Sequence, residues 1–302
     1  MNRLSVDIGS NTAKCLLADT KGGRCVRIWE DTVDCRILGG GGSLVPNAAE
    51  LVSGAIRRFV SHAENLAGEM EALVTATSAM RDAPEAAEVA ERVRRNTGYA
   101  VRILSEYEEA KYSYLGAMGD ELIPAADCYA FFDLGGGSLE VAFGGRFEMS
   151  SAFSFPVGAV AMTRRFSCGD GGGCAMESLA DFLRGVFDSS KLPRIRAGGI
   201  LVGTGGAVAA ARLMKAKCGF AGAENELSAG MIGEMARILN ALPVRERAST
   251  YSIPQSRADI IVAAFVVLET LMRSLGAEIF LQTFRNLRYG LVCADCLWKG
   301  SD

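Results

Sequence analysis

Histidine is almost absent from this 302-residue chain: the single one, His62, lies within an amphipathic helical stretch. That excludes a histidine-rich metal site and leaves no base for a Ser-His triad. Long apolar runs are missing too. The longest, Ile260 to Leu268, is about half of what a membrane span needs, and Met1-Asn2-Arg3 leads straight into a strand with no signal peptide. A cytoplasmic protein with no membrane partner is therefore expected. Charge imbalance is small as well: a net −3 does not draw a polyanion through the global field and argues against a nucleic-acid partner.

Cysteines number nine, but their spacing lacks the pattern of a metal or disulfide framework. The one Cys-x-x-Cys, Cys293/Cys296, falls in a terminal helix with no second pair, and the thiols read as small buried hydrophobes in a reducing compartment. Apolar residues make up 49% of the chain and charged ones 22%, which places it among well-packed globular proteins. Its length predicts two domains of roughly 120–170 residues.

The informative stretch is Ala130-Phe131-Phe132-Asp133-Leu134-Gly135-Gly136-Gly137-Ser138-Leu139-Glu140. An apolar run ending in Asp, then three glycines and a Ser, predicts a buried strand turning sharply at its end, with free amides lined by glycine. Such amides suit anionic oxygens, and the adjacent carboxylate suits a divalent cation bridging to them. Asp7-Ile8-Gly9-Ser10-Asn11-Thr12 repeats the order after the alternating Leu4 and Val6. Two such corners predict a duplicated unit whose loops face each other across a cleft.

Strands are expected at Leu4–Ile8, Ala13–Ala18 and Arg24–Trp29, ended by the Gly39–Gly42 loop. Asn47 is expected to cap a helix with the buried stripe Leu51, Ala55, Ile56, Phe59, Ala63 and Leu66. A strand at Leu73–Ala76, a helix from Pro84 to Asn96 closed by Gly98, a strand at Val101–Leu104 and a helix over Glu106–Met118 follow. The second half repeats the plan with strands at Tyr129–Asp133, Leu139–Phe143 and Met149–Phe153. Gly169–Gly173 reads as a flexible loop, and Gly203-Thr204-Gly205-Gly206 as a third glycine turn opening a helix. Helices at Ser228–Leu242 and Ser256–Leu275, a strand at Glu278–Gln282 and a last helix from Arg285 complete an α/β class with mixed sheets.

The chain resembles the exopolyphosphatase / guanosine pentaphosphate phosphatase family of the sugar kinase, Hsp70 and actin superfamily. The signatures run in order: Asp7 to Asn11, Thr77-Ser78-Ala79-Met80-Arg81-Asp82-Ala83, Ser105-Glu106-Tyr107-Glu108-Glu109-Ala110-Lys111, Tyr114-Leu115-Gly116, Asp133 to Glu140, Pro156-Val157-Gly158-Ala159-Val160, Gly203 to Gly206, and Ala258-Asp259-Ile260-Ile261. The resemblance implies two actin-like ATPase (ribonuclease H-like) domains, 1–122 with 288–302 and 123–287, with the active site in the cleft between them and a homodimer as the assembly. The family's longer members carry a C-terminal His-Asp type extension, which is not expected here because the sequence has a single histidine. Lys14, Leu139 and Ala207 depart from the family's usual Arg, Thr and Thr.

The implied reaction is removal of terminal orthophosphate from inorganic polyphosphate or guanosine pentaphosphate. Such a site must hold the end phosphates, neutralise the bridging oxygen and aim a water in line. Gly9, Ser10, Asn11 and Lys14 on one corner, and Gly135, Gly136, Gly137 and Ser138 with Gly205 on the other side, are the expected phosphate ligands. Mg²⁺, or Mn²⁺ in its place, would sit on Asp133 with Asp7 or Glu140. Arg81 offers a forked donor to the terminal phosphoryl group. By resemblance Glu109 is the base, its neighbour Glu108 being solvated. Arg57, Arg58, Arg92, Arg94, Arg95 and Arg164-Arg165 form either a track for long polyphosphate or ordinary solubilising charge. Two rival readings share these residues: a phosphotransferase of the same superfamily, and a non-catalytic sensor of alarmones or polyphosphate.

Overall fold

The computed structural model describes residues 1–21, 25–39, 42–168 and 173–298. The chain divides into two compact units, Met1–Gly119 with Arg285–Asp302, and Asp120–Phe284. Both crossings lie three residues before the expected ones. The buried Asp120 already belongs to the second unit, where it accepts a hydrogen bond from the Thr283 hydroxyl at 2.6 Å. Arg285 belongs to the first, donating to Gly119 O at 2.7 Å.

In the first unit, β1 (Asn2–Ile8), β2 (Thr12–Asp19) and β3 (Val26–Asp34) form an antiparallel meander. β4 (Glu71–Ala76) and β5 (Val101–Ile103) extend it in parallel, giving the order β3-β2-β1-β4-β5. The strand alternation divides β1 cleanly. Leu4, Val6 and Ile8 are fully buried in the core that also takes Ile56, Phe59 and Ala63 of α1 (Ala48–Ala67) and Val89 and Val93 of α3 (Ala86–Thr97). Arg3 and Ser5 turn the other way and bond the backbone of Val292 and Arg288 on and beside α11 (Leu287–Cys293). That helix packs on α4 (Glu106–Met118), with Leu104, Tyr112, Leu287 and Leu291 buried together. α2 (Ser78–Arg81) is a single turn after β4.

The second unit repeats the plan. β6 (Tyr129–Leu134), β7 (Leu139–Gly145) and β8 (Glu148–Phe155) form the meander. β9 (Ile200–Thr204) and β11 (Ile279–Gln282) run parallel to β6, and β10 (Glu226–Ser228) closes the edge in the order β10-β11-β9-β6-β7-β8. Its core is built on α10 (Ile261–Leu275), which packs against α5 (Ala159–Arg165), α6 (Met176–Ser189), α7 (Gly206–Cys218) and α8 (Ala229–Asn240). The longest apolar run of the sequence is thus a helix buried on nearly all sides, since the residues from Ile261 to Leu268 are all buried. Among the described residues no helix is long and apolar enough to cross a membrane.

Several expectations change. α5, α6 and α9 (Val244–Tyr251) were not foreseen, although Leu179, Leu183 and Phe187 make a buried i, i+4, i+8 stripe on α6. α10 starts at Ile261, because Pro254 and a 3₁₀ turn over Gln255–Arg257 precede it. Asn47 makes no side-chain cap, its backbone lying at φ −99° and ψ 20° rather than in the extended region. Cys296 sits in a 3₁₀ turn beyond the last helix. Cys168 and Cys174 form a disulfide, with their Cα atoms 4.0 Å apart, against the reading of the thiols as free. Arg24, Gly40, Gly41 and residues 169–172, on which three expectations fell, lie outside the described residues.

Candidate active site

Both glycine corners are built alike. Gly9 N–H donates to Thr12 O and Gly135 N–H to Ser138 O, each at 3.0 Å, closing a tight turn at the end of the first hairpin of its unit. The corner carbonyls are then occupied from behind. Ser10 O accepts from Ile37 N, and Asn11 O from Cys35 N and Arg36 N, at 2.8–2.9 Å. Gly137 O accepts from Gly158 N at 3.0 Å, Gly135 O from Ala159 N at 3.0 Å, and Gly136 O from Val160 N at 2.9 Å. Peptide planes whose oxygens point inward present their hydrogens outward. Among the described residues the amides of Ser10, Asn11, Gly136, Gly137 and Ser138 donate no hydrogen bond, which is the nest geometry that receives oxyanions.

The close approach explains Gly158. A Cβ there would overlap the backbone of Gly136 and Gly137. Gly205 is required for a second reason: it has φ +110°, and its Cβ would lie 2.8 Å from Leu134 O and 3.0 Å from Asp133 Oδ1. The third turn therefore packs directly beside the second corner. Arg257, which the sequence reading passed over, has its guanidinium against Gly206 in the first turn of α7, leaving no room for a Cβ. The signal was its place immediately before Ala258-Asp259. Arg247 anchors that turn, donating to Ala258 O at 3.1 Å and to Leu239 O at 2.9 Å.

Strand register sets the carboxylates. Asp133 pairs with Glu140 across β6 and β7 and with Thr204 across β6 and β9, and Glu140 faces Ser154, whose hydroxyl donates to it at 3.3 Å. In the first unit Asp7 occupies the equivalent place between Lys14 and Thr75. Its Oδ1 is buried and has no hydrogen-bond partner among the described residues. Burial is the largest influence and pushes its carboxyl from 3.8 up to about 6; Lys14 and Arg288 pull it down, and Glu109 adds a small push upward.

The sign follows from proton binding. Below pH 4 the group is protonated in both states. As pH rises through 4 to 6 the unfolded chain ionises while the folded one holds its proton, so stability is lost. A shift of this size is worth about 3 kcal/mol. Asp7→Asn is expected to flatten the fall in stability between pH 4 and 7, as read by urea unfolding in cation-free buffer.

α4 begins with a capping box. Ser105 Oγ accepts from Glu108 N at 3.2 Å, and Glu108 Oε2 accepts from Ser105 N at 3.0 Å. Glu108 also takes a hydrogen bond from Arg102 at 2.7 Å, so it is structural rather than merely solvated. The Ser105 amide, then Arg102, hold its carboxyl below the usual carboxylate range. One position on, Glu109 points elsewhere. Its Oε2 accepts from Arg81 Nη1 at 2.9 Å, and the same nitrogen donates to Leu104 O at 3.0 Å. The Glu109 side chain remains 35% exposed, against 20% for Arg81, so water reaches the carboxylate while the guanidinium is held. Ser105→Ala is expected to cost about 1 kcal/mol, read as a lower melting temperature, with a drop in turnover as the turn carrying Glu109 loosens.

The basic helix surface is largely paired. Arg58 bonds Asp31, Arg92 bonds Glu50, Arg94 and Arg95 bond Glu91, and Arg57 donates to Asn96 O. Arg165 lies over the Phe182 ring at 4.0 Å. The His62 ring lies tilted against Trp29, with ring centroids 4.4 Å apart.

A divalent cation fits the donor chemistry. Asp133 and Glu140 are carboxylates side by side in register, and Asp7 has a buried, unsatisfied oxygen. Among the described residues no three His, Cys, Asp or Glu side chains gather closely enough to enclose a metal.

Repeated meander-plus-parallel sheets, each with a glycine corner, define an actin-like ATPase fold. Residues 36–297 match the Ppx/GppA phosphatase family, and the chain belongs to it. It is 30% identical over 301 residues to Exopolyphosphatase 1 of Mycobacterium tuberculosis, covering 96% of this chain and 87% of that one. Exopolyphosphatase 1 of Mycobacterium leprae is 30% identical over 287 residues, covering 91% and 84%. The crystal structure of the Aquifex aeolicus Ppx/GppA family member superposes with a TM-score of 0.85 at 23% identity, covering 100% of this chain and 99% of that one. An exopolyphosphatase from Cytophaga hutchinsonii gives 0.76 at 19%, covering 97% and 96%.

Proposed function

We propose that this protein releases terminal orthophosphate from inorganic polyphosphate, and from the guanosine pentaphosphate end that presents the same phosphoanhydride. The observation that carries this reading is the Arg81–Glu109 pair at the head of α4, in a chain whose glycine corners keep their amides unbonded. The mycobacterial relatives, named exopolyphosphatases, support polyphosphate as the substrate.

In this mechanism each corner offers its own unit's donors to phosphate oxygens, the amides of Ser10 and Asn11 with Lys14 in the first and the amides of Gly136, Gly137 and Ser138 in the second. Arg81 fixes the orientation of Glu109, which accepts a proton from water as its oxygen bonds the terminal phosphorus. The bond from that phosphorus to the bridging oxygen breaks, and orthophosphate leaves with a chain one unit shorter. Asp133 with Glu140 in the second unit, or Asp7 in the first, would hold Mg²⁺, which would supply charge neutralisation for the phosphoanhydride.

The test is phosphate release from long-chain polyphosphate, tripolyphosphate and guanosine pentaphosphate in parallel, with Mg²⁺ and with chelator. Release that depends on Mg²⁺ and needs no acceptor is expected. Tight binding without release, or transfer only to an added acceptor, overturns the hydrolase reading.

A further inference from the structure

The second unit contains a cavity of about 440 Å³ away from the glycine corner. Tyr129 and Ala130, at the start of β6, line it, whereas Asp133 stands towards the other end of that strand, roughly 10–13 Å along at the rise per residue of a strand. Its volume lies in the range of small-molecule sites, about 300–1,000 Å³.

The lining carries charged side chains of both signs, all four at exposed positions. Arg194 and Arg196 contribute two guanidiniums, Asp127 and Glu148 two carboxylates, and Phe143 and Ile195 apolar surface. Charges of both signs line one cavity, yet among the described residues Arg194 and Arg196 form no ion pair or hydrogen bond through their side chains, whereas most arginines of this protein have partners. The backbone carrying them is pinned. Ile195 N donates to Leu275 O at 2.9 Å and Gly199 N to Arg196 O at 2.9 Å, with the Ile195 side chain packed against the core between the two arginines. The opposite wall is shaped by a register shift between Phe143 and Gly144, where a Cβ on Gly144 would overlap Glu148 O.

A ligand that satisfies such a lining carries an oxyanion, an apolar planar body and hydrogen-bond donors. Guanidiniums recognise phosphate through paired donors, and carboxylates accept from ring N–H and amino groups. We propose that this cavity is a second ligand site that takes a purine nucleoside phosphate, with its phosphate on Arg194 and Arg196 and its base edge towards Asp127 and Glu148. The site is independent of phosphate release at the corners.

The full chain is titrated by calorimetry with guanosine 5′-monophosphate, adenosine 5′-monophosphate, guanosine and inorganic phosphate, without divalent cation. One nucleotide per chain is expected, bound at least tenfold more tightly than guanosine or inorganic phosphate. The double variant Arg194→Ala/Arg196→Ala should lose at least tenfold in nucleotide affinity while keeping its melting temperature and its phosphate-release rate. Asp127→Asn/Glu148→Gln should weaken the nucleotide but leave inorganic phosphate unchanged. Unaltered nucleotide affinity in the arginine double variant overturns the proposal, as does inorganic phosphate binding as tightly as the nucleotides.

Discussion

Glu109→Gln is expected to lower turnover by roughly 10²–10⁴-fold, the usual worth of a positioned general base, with substrate affinity little changed. The amide keeps the size and the hydrogen-bond acceptor that Arg81 uses, but it cannot take a proton from water. The loss corresponds to roughly 3–5 kcal/mol of transition-state stabilisation. Separating kcat from binding decides the matter: a wild-type rate removes Glu109 from the mechanism, and a loss confined to affinity makes it a substrate ligand instead. Arg81 and Leu104 O already hold the neighbourhood of the carboxylate by hydrogen bonds of 2.9 and 3.0 Å, so the variant should fold with an unchanged melting profile.

Gly158→Ala is expected to have the next largest effect, although Gly158 belongs to no catalytic pair. The added methyl would overlap the carbonyl carbons of Gly136 and Gly137, which are backbone atoms with no flexible end to swing aside. Either the corner shifts or α5 does, and both are joined through the hydrogen bonds from Gly158, Ala159 and Val160 to the corner carbonyls. Displacing a phosphate-binding loop by about 1 Å can cost roughly 10²-fold in rate. Overpacking adds about 1–3 kcal/mol of destabilisation. Phosphate release and thermal unfolding measured on one preparation test this. A variant with near wild-type activity would show that the second corner is not held from behind in the way the bonding implies.

Much of this was legible in the chain. The alternation of Leu4, Val6 and Ile8, the helix over Glu106–Met118 and the closing Gly98 follow from periodicity and capping, which act over a few residues. The short helices were not. α5 has seven residues, and its first amides bond a loop more than twenty positions earlier, so no local pattern marks it. Glu108 and Glu109 illustrate the same limit at the site. Their adjacency shows that they point different ways, but only the contact with Arg102 on one side and Arg81 on the other shows which is structural and which is presented to water.

By itself the sequence determined the duplicated α/β plan, the two glycine corners and the carboxylates beside them, because Gly, Asp and alternating apolar residues constrain the backbone locally. Tertiary structure alone decided what those corners lean on, how far Asp7 is desolvated, that Arg257 packs against the third turn and that Cys168 meets Cys174. Burial and strand register join residues distant in the chain, and no short window of sequence carries those distances.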